Sequence, residues 1–201
     1  MHAVVPAAGR SERMGRAKLT LPWRGTTVLG SLLRALRAGG VASTVVVIQD
    51  GDAVTAEEAR RQGAGVVANP DPDRGMLSSV WCGLEALAAL AHPWPAPVLI
   101  CPGDLPAISA ETIRRLVHLP AEPGSVVVPT WRGRRGHPLR LGEALVPEIA
   151  DLDPAVGLRE ILDRRSDRVC RLAVSDPGVL RDVDTPADYA ALRDLVSSGA
   201  G

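Results

Sequence analysis

Short runs of β-branched residues recur along this 201-residue chain, each separated from the next by a longer stretch whose apolar residues fall at helical spacing. Residues 2–5, 45–48, 65–68, 98–101 and 126–128 read as strands, with weaker candidates at 139–141 and 169–174. Between them, Val28, Leu29, Leu32, Leu33 and Leu36 mark a helix that stops at Gly39 and Gly40. Met76, Val80, Leu84 and Leu87 line one face of a second helix. Ile113, Leu116 and Val117 line a third, with Ser109 in position to cap it. The strand runs are apolar throughout rather than alternating, the pattern of strands covered on both faces. The expectation is a three-layer α/β/α sandwich on a mostly parallel, mixed sheet, formed as a single domain over residues 1–201.

Composition narrows the function. Basic and acidic residues balance at 23 each, which argues against a general nucleic-acid binder. No apolar run approaches the ~20 residues of a membrane helix, and the charged stretch from Arg10 to Arg13 is unlike a signal peptide. Cys82, Cys101 and Cys170 form no CxxC pair, so neither a zinc site nor a disulfide framework is expected, and the thiols suit a reducing cytoplasm. With no phenylalanine and one tyrosine, the core must be aliphatic. Lys18 is the only lysine; every other basic residue is arginine. A chain that uses arginine wherever a cation will do, yet keeps one compact ammonium, points to a specific task for it.

In a parallel α/β sheet, ligands sit beyond the carboxyl ends of the strands. After the first strand comes a loop with small residues at Ala7, Ala8 and Gly9, followed by Arg13 and Lys18. Small residues let a ligand approach backbone N–H groups that bind phosphate oxygens, and the cations add charge. Taken alone, the same loop serves equally as a βα turn. It is not a Walker loop, because Gly9 and Gly15 enclose five residues and Leu19 follows Lys18; nor is there a GxGxxG dinucleotide fingerprint.

The run Ala7-Ala8-Gly9, Ser11, Arg13-Met14-Gly15, Lys18, Leu21-Pro22 and Gly25 resembles the signature of the MobA-like nucleotidyltransferases. Pro6 departs from that signature, which usually has leucine there, and lacks one backbone donor. The resemblance implies a Rossmann-like fold of the nucleotide-diphospho-sugar transferase type. It also implies that Ala7, Ala8 and Gly9 contact a nucleoside triphosphate through their backbone, while Arg13 and Lys18 bind its phosphates.

A second segment, residues 69–75, is rich in turn formers and leads into Met76-Leu77-Ser78-Ser79. Serines in a first helical turn are often caps, yet such a turn also offers free N–H groups to a ligand. Gly-Met-x-Ser-Ser, followed by Val80 and Gly83-Leu84, is similar to the branch containing molybdenum cofactor cytidylyltransferases. By that resemblance Gly75, Ser78 and Ser79 hold the base and ribose, and CTP is favoured over GTP.

Asp104 stands just past the fourth strand, beside Gly103, a place equally suited to a turn or to Mg²⁺, which takes one or two carboxylates together with phosphate oxygens and water. The family's Asp-x-Pro aspartate is a metal ligand, and Asp104-Leu105-Pro106 matches it. A second ligand is expected from Asp182 or Asp184, with Asp182 preferred; a strand period of two points both the same way. Thr185, Pro186 and Asp188 instead form a helix start. After the fifth strand, Trp131, Arg135 and His137 are acceptor-binding candidates, because Gly136-His137-Pro138 resembles the family loop that borders the acceptor; three arginines in four residues also suit a solvated loop. His92, His118 and the paired arginines at 60–61, 114–115 and 164–165 read as structural.

The implied reaction is Mg²⁺-dependent transfer of CMP from CTP to the phosphate of a molybdopterin-type acceptor, with release of pyrophosphate. Catalysis would fall to Arg13, Lys18 and Asp104. Alternatives are guanylyl or cytidylyl transfer to another phosphorylated small molecule, a nucleotide-binding insertion chaperone serving a molybdoenzyme, and a nicotinamide-dependent oxidoreductase.

Overall fold

The computed structural model describes residues 1–9, 14, 17–90 and 97–197, with side chains to residue 194. Its elements are β1 (His2–Ala7), β2 (Pro22–Trp23), β3 (Thr26–Thr27), α1 (Val28–Ala38), β4 (Ser43–Gln49), α2 (Ala53–Arg61), β5 (Gly65–Asn69) and α3 (Met76–Leu90). There follow β6 (Val98–Ile100), α4 (Ala110–His118), β7 (Val126–Trp131), β8 (Arg134–Arg135), β9 (Leu139–Leu141), α5 (Arg159–Arg164), β10 (Val169–Ala173) and α6 (Pro186–Ser197).

The main sheet runs β10-β7-β9-β6-β1-β4-β5, with β8 paired to β7. The β1, β4, β5 and β6 pairings are parallel, as is β10 with β7, and β9 runs antiparallel to both neighbours. The sheet is thus mostly parallel and mixed, as expected. Alternate residues of β1 feed opposite faces. Ala3, Val5 and Ala7 join Leu29, Leu32 and Leu36 of α1, Ile113 and Leu116 of α4, and Tyr189 of α6. Val4 meets Leu84 and Leu87 of α3, and the same face carries Ile161 of α5. Each fully buried aliphatic side chain adds about 1.5–3 kcal/mol of transfer free energy, and β1 is covered on both sides. Two helical layers therefore enclose the sheet.

Helix ends follow the expected chemistry. Ser109 Oγ accepts from Thr112 N at 3.1 Å, Thr27 Oγ1 accepts from Gly30 N at 2.9 Å, and α1 stops at Gly39. Thr185 and Asp188 exchange side chain-to-backbone bonds of 3.2 and 2.8 Å at the start of α6. Two expectations are corrected. Met76 is 44% exposed rather than packed, because it opens α3 where the helix leaves the sheet. The segment holding Asp182 and Asp184 forms no strand. It is instead anchored by buried Val183, whose N–H donates to Asp104 O at 3.0 Å. No helix among the described residues is long and apolar enough to cross a membrane.

Candidate active site

The ends of β1 and β6 and the start of α3 enclose a cleft of about 310 Å³ at the carboxyl edge of the sheet. One wall is backbone: Ala7, Ala8 and Gly9 leave β1 there, and a Cβ on Gly9 would meet nothing within 4 Å. Gly103 forms the next wall and donates its N–H to Pro6 O at 3.1 Å, so Pro6 lacks a donor but uses its acceptor. Gly75 and Ser79 close the far side. Gly75 has φ +85°, a conformation L side chains rarely adopt, and this lets the turn over Pro72–Arg74 swing into α3. Ser11, Arg13 and Gly15 lie outside the described residues, and Met14 between them is buried.

Lys18 reaches into this cleft from a short 3₁₀ turn. Its Nζ lies 2.6 Å from Asp104 Oδ2 and 2.8 Å from Asp184 Oδ1. All three side chains are largely covered, at 14%, 16% and 28% exposure respectively. Burial alone would lower the Lys18 pKa, but the charges and hydrogen bonds of Asp104 and Asp184 outweigh it and hold the ammonium above its usual range. Lys18 is therefore a fixed cation. Among the described residues, two of its three N–H donors go to carboxylates, which leaves one for a ligand.

Among the described residues, the other oxygen of Asp104, Oδ1, is buried and has no hydrogen-bond partner. Asp182 is close enough to feel Asp104, Asp184 and Lys18. Burial first, then its acidic neighbours, raise its carboxyl pKa, against the pull of its own backbone hydrogen bond and of Lys18. A buried, unsatisfied carboxylate oxygen facing further carboxylates is a site for a hard cation. Among the described residues no group of three or more His, Cys, Asp or Glu side chains is placed to hold a metal alone. The donor set fits an ion such as Mg²⁺ that completes its shell with phosphate oxygens and water.

Sequence reasoning missed Asn69. It ends β5 at 1% exposure and donates from Nδ2 to Ser78 Oγ at 2.8 Å and Ser79 Oγ at 2.9 Å. The signal was a polar residue closing an apolar strand run. Ser79 lines the cleft; Ser78 does not, and its hydroxyl donates to Gly75 O at 2.8 Å as a local cap.

Beyond Met76 the cleft continues into an open bowl of about 830 Å³. Its floor is Val128, Leu139, Leu158 and Leu162, and its charges are Arg134, Arg135, Arg159 and Arg171 with Asp163. His137 lines the bowl, anchored by its N–H to Val179 O at 2.9 Å. Burial lowers the His137 pKa, against opposing pulls from Asp104 and Asp182, and among the described residues its Nδ1 has no partner. Trp131 does not join this group. With the period of two along β7 it faces the opposite core, and Arg132 covers its ring at 4.6 Å. A wider concavity of about 930 Å³ around residues 120–125 and 167–170 opens at the amino ends of β7 and β10, away from the edge where such sheets bind ligands.

A glycine-lined cleft, a fixed ammonium and converging carboxylates at a switch point of a mostly parallel sheet define a nucleotide-handling α/β protein. The MobA-like NTP transferase domain matches residues 3–169, and the chain belongs to that family of nucleotidyltransferases, with the nucleotide-diphospho-sugar transferase fold. It is 23% identical to the molybdenum cofactor cytidylyltransferase of Escherichia coli K12, over 95% of this chain and 94% of that one. It is also 30% identical to the nicotine blue oxidoreductase of Paenarthrobacter nicotinovorans, over 90% of this chain and 91% of that one. A Mycobacterium tuberculosis H37Rv protein crystallised with manganese superposes with a TM-score of 0.77 at 28% identity, over 96% of this chain and 97% of that one.

Proposed function

We propose that this enzyme transfers CMP from CTP to the phosphate of a molybdopterin-type acceptor, releasing pyrophosphate. The observation that carries the reading is Lys18 Nζ held between Asp104 and Asp184 at the mouth of the glycine-lined cleft. An acceptor phosphate is already anionic at neutral pH, so no general base is needed. The obstacle is repulsion between it and the α-phosphate.

Backbone N–H groups of Ala7, Ala8 and Gly9 and the Lys18 ammonium hold the triphosphate, and Arg13 adds charge to the same loop. Gly75 and Ser79 border the base and ribose, while Ser78 caps the start of α3. Asp104, with Asp182 or Asp184, would hold Mg²⁺, which when bound neutralises phosphate charge and favours in-line transfer. Asp182 is preferred as the second ligand, since its carboxyl feels the charges of both Asp104 and Asp184. Arg135 and His137 face the acceptor, whose anionic groups suit the arginines of the bowl and whose flat body suits its aliphatic floor. Delivery of the product to a molybdoenzyme would follow, and the reaction belongs to the cytoplasm.

The likeness to an oxidoreductase favours a second reading, nicotinamide-dependent reduction, which would need neither the carboxylates nor a divalent metal. Thermal unfolding with CTP, GTP, ATP and NADPH, each with and without Mg²⁺, separates the two. A ligand at ~100 times its Kd adds about 2.7 kcal/mol, a shift of several degrees at roughly 2–4 °C per kcal/mol. We expect a Mg²⁺-dependent shift with CTP that disappears in Asp104→Ala. A shift with NADPH alone, indifferent to metal, would overturn the transfer reading, and a preference for GTP would change the base.

A further inference from the structure

Asn69 has no place in the transfer chemistry, yet it is 1% exposed and bonded to Ser79, which lines the cleft. Its partners fix which way the amide faces. The backbone N–H of Asp71 can only donate, and it lies 2.9 Å from Oδ1, so Nδ2 is the atom turned toward the serines. That NH₂ group has two hydrogens, one for Ser78 Oγ and one for Ser79 Oγ. Ser78 Oγ also sits 2.8 Å from Gly75 O and 3.2 Å from Asp71 O. Carbonyls only accept, so the Ser78 hydrogen is used there.

Ser79 differs from Ser78 in one respect. Its Oγ accepts from Asn69 and, among the described residues, donates to no protein group. The residue is 4% exposed and lines the cleft with Ala8 and Gly9. An unconstrained serine hydroxyl rotates to donate or accept as a ligand requires. With one lone pair committed to Asn69, this hydroxyl is biased to offer its hydrogen.

We infer that Asn69 is a positioning residue for base selection: it holds Ser79 as a hydrogen-bond donor, so the cleft favours a base edge that presents an acceptor there. Cytosine offers N3 and O2 as neighbouring acceptors. Uracil keeps O2 and O4 as acceptors but turns N3 into a donor. Guanine offers donors at N1 and N2 beside the acceptor O6, so the preference is exerted at the position of cytosine N3. The inference rests on reading the cleft as a nucleotide site.

The test is calorimetric binding of CTP, UTP and GTP in the presence of Mg²⁺ to the wild type, Asn69→Asp, Ser79→Ala and the double variant. A carboxylate at position 69 only accepts, so the Ser79 hydrogen turns toward it and a lone pair turns toward the ligand. The added negative charge weakens all three triphosphates together and cancels in their ratio. The CTP-to-UTP affinity ratio should fall about tenfold in Asn69→Asp, the scale of one hydrogen bond lost or opposed. Ser79→Ala should lower it similarly, and adding Asn69→Asp to Ser79→Ala should change it less than about twofold. If Asn69 is merely structural, all three affinities fall together at constant ratio, which overturns the inference. Should Asn69→Asp fail to fold, an unchanged ratio in Ser79→Ala overturns it equally. A wild type that binds none of the three removes the nucleotide reading and this inference together, whereas a wild type that binds CTP with a ratio unmoved by the variants removes this inference alone.

Discussion

Lys18 and Asp104 are 86 positions apart in the chain and meet at 2.6 Å between Nζ and Oδ2. The contact joins the loop after β1 to the end of β6, neighbouring parallel strands in the sheet. Removing the ammonium leaves two carboxylates facing one another and strips the cleft of a fixed cation. Lys18→Met should lower kcat/KM for nucleotidyl transfer by about 10²–10³-fold, the scale of losing one positioned electrostatic group. Lys18→Arg should rescue little of it, since a planar guanidinium does not reproduce a compact ammonium between two carboxylates. Pyrophosphate release measures both.

His137 makes stability pH-dependent. Burial holds its imidazole below the ordinary 6.5 in the folded state, so the neutral ring is the native form. Unfolding takes up a proton once the pH drops under about 6.5. The His137 contribution is therefore complete above that value and is lost as the pH falls toward the folded-state pKa. Urea unfolding without added metal, at pH 7.5 and then at steps below 6.5, should show a smaller acid loss for His137→Asn than for the wild type.

Arg140 is a buried cation on β9, 6% exposed, whose guanidinium donates to Leu116 O at 3.0 Å and also to Leu119 O. It satisfies carbonyls at the end of α4 that have no helical partner. Arg140→Met fills similar volume but leaves those carbonyls unpaired. The expected cost is about 2–4 kcal/mol from hydrogen bonds to a charged donor and the acceptors left behind, seen as a lower urea midpoint with nucleotide affinity retained.

Gly83 is where α3 lies against the sheet. A Cβ there would press into the Val4 side chain and come within 3.0 Å of Val47 Cγ2. Gly83→Ala should cost about 1–3 kcal/mol through overpacking and lower Tm by roughly 2–4 °C for each kcal/mol. Differential scanning calorimetry measures it.

Much of the architecture was legible because its signals are strong. β1, β4 and β7 are continuous apolar runs, and α1 carries both a spaced leucine face and a glycine stop. The β2–β3 hairpin was not, since strands of two residues hold no periodicity. Helix α2 turns in only Thr55, Ala56, Glu58 and Ala59, too mixed a face to announce a core. In the site, Lys18 stood out because no other lysine dilutes it, and Asp104 because it follows a buried strand. Asn69 was hidden because its importance lies in which atoms it faces, and spacing carries no such information. The neighbours of Trp131 in sequence point it toward the acceptor, but the alternation of side chains along β7 sends it to the other face of the sheet.

The contact between Lys18 and Asp184 spans 166 positions. Closing so long a loop costs little more in entropy than closing a shorter one, since each doubling adds only about 0.6 kcal/mol; its effect is on when the contact forms. During synthesis, a nascent chain that has emerged as far as α4 already carries the glycine wall, Lys18 and Asp104, but the aspartates at 182 and 184 are still to come. The charge cluster is thus assembled late, after the strands that frame it, and a polypeptide stalled midway presents a cleft with an ammonium and one of its three carboxylates.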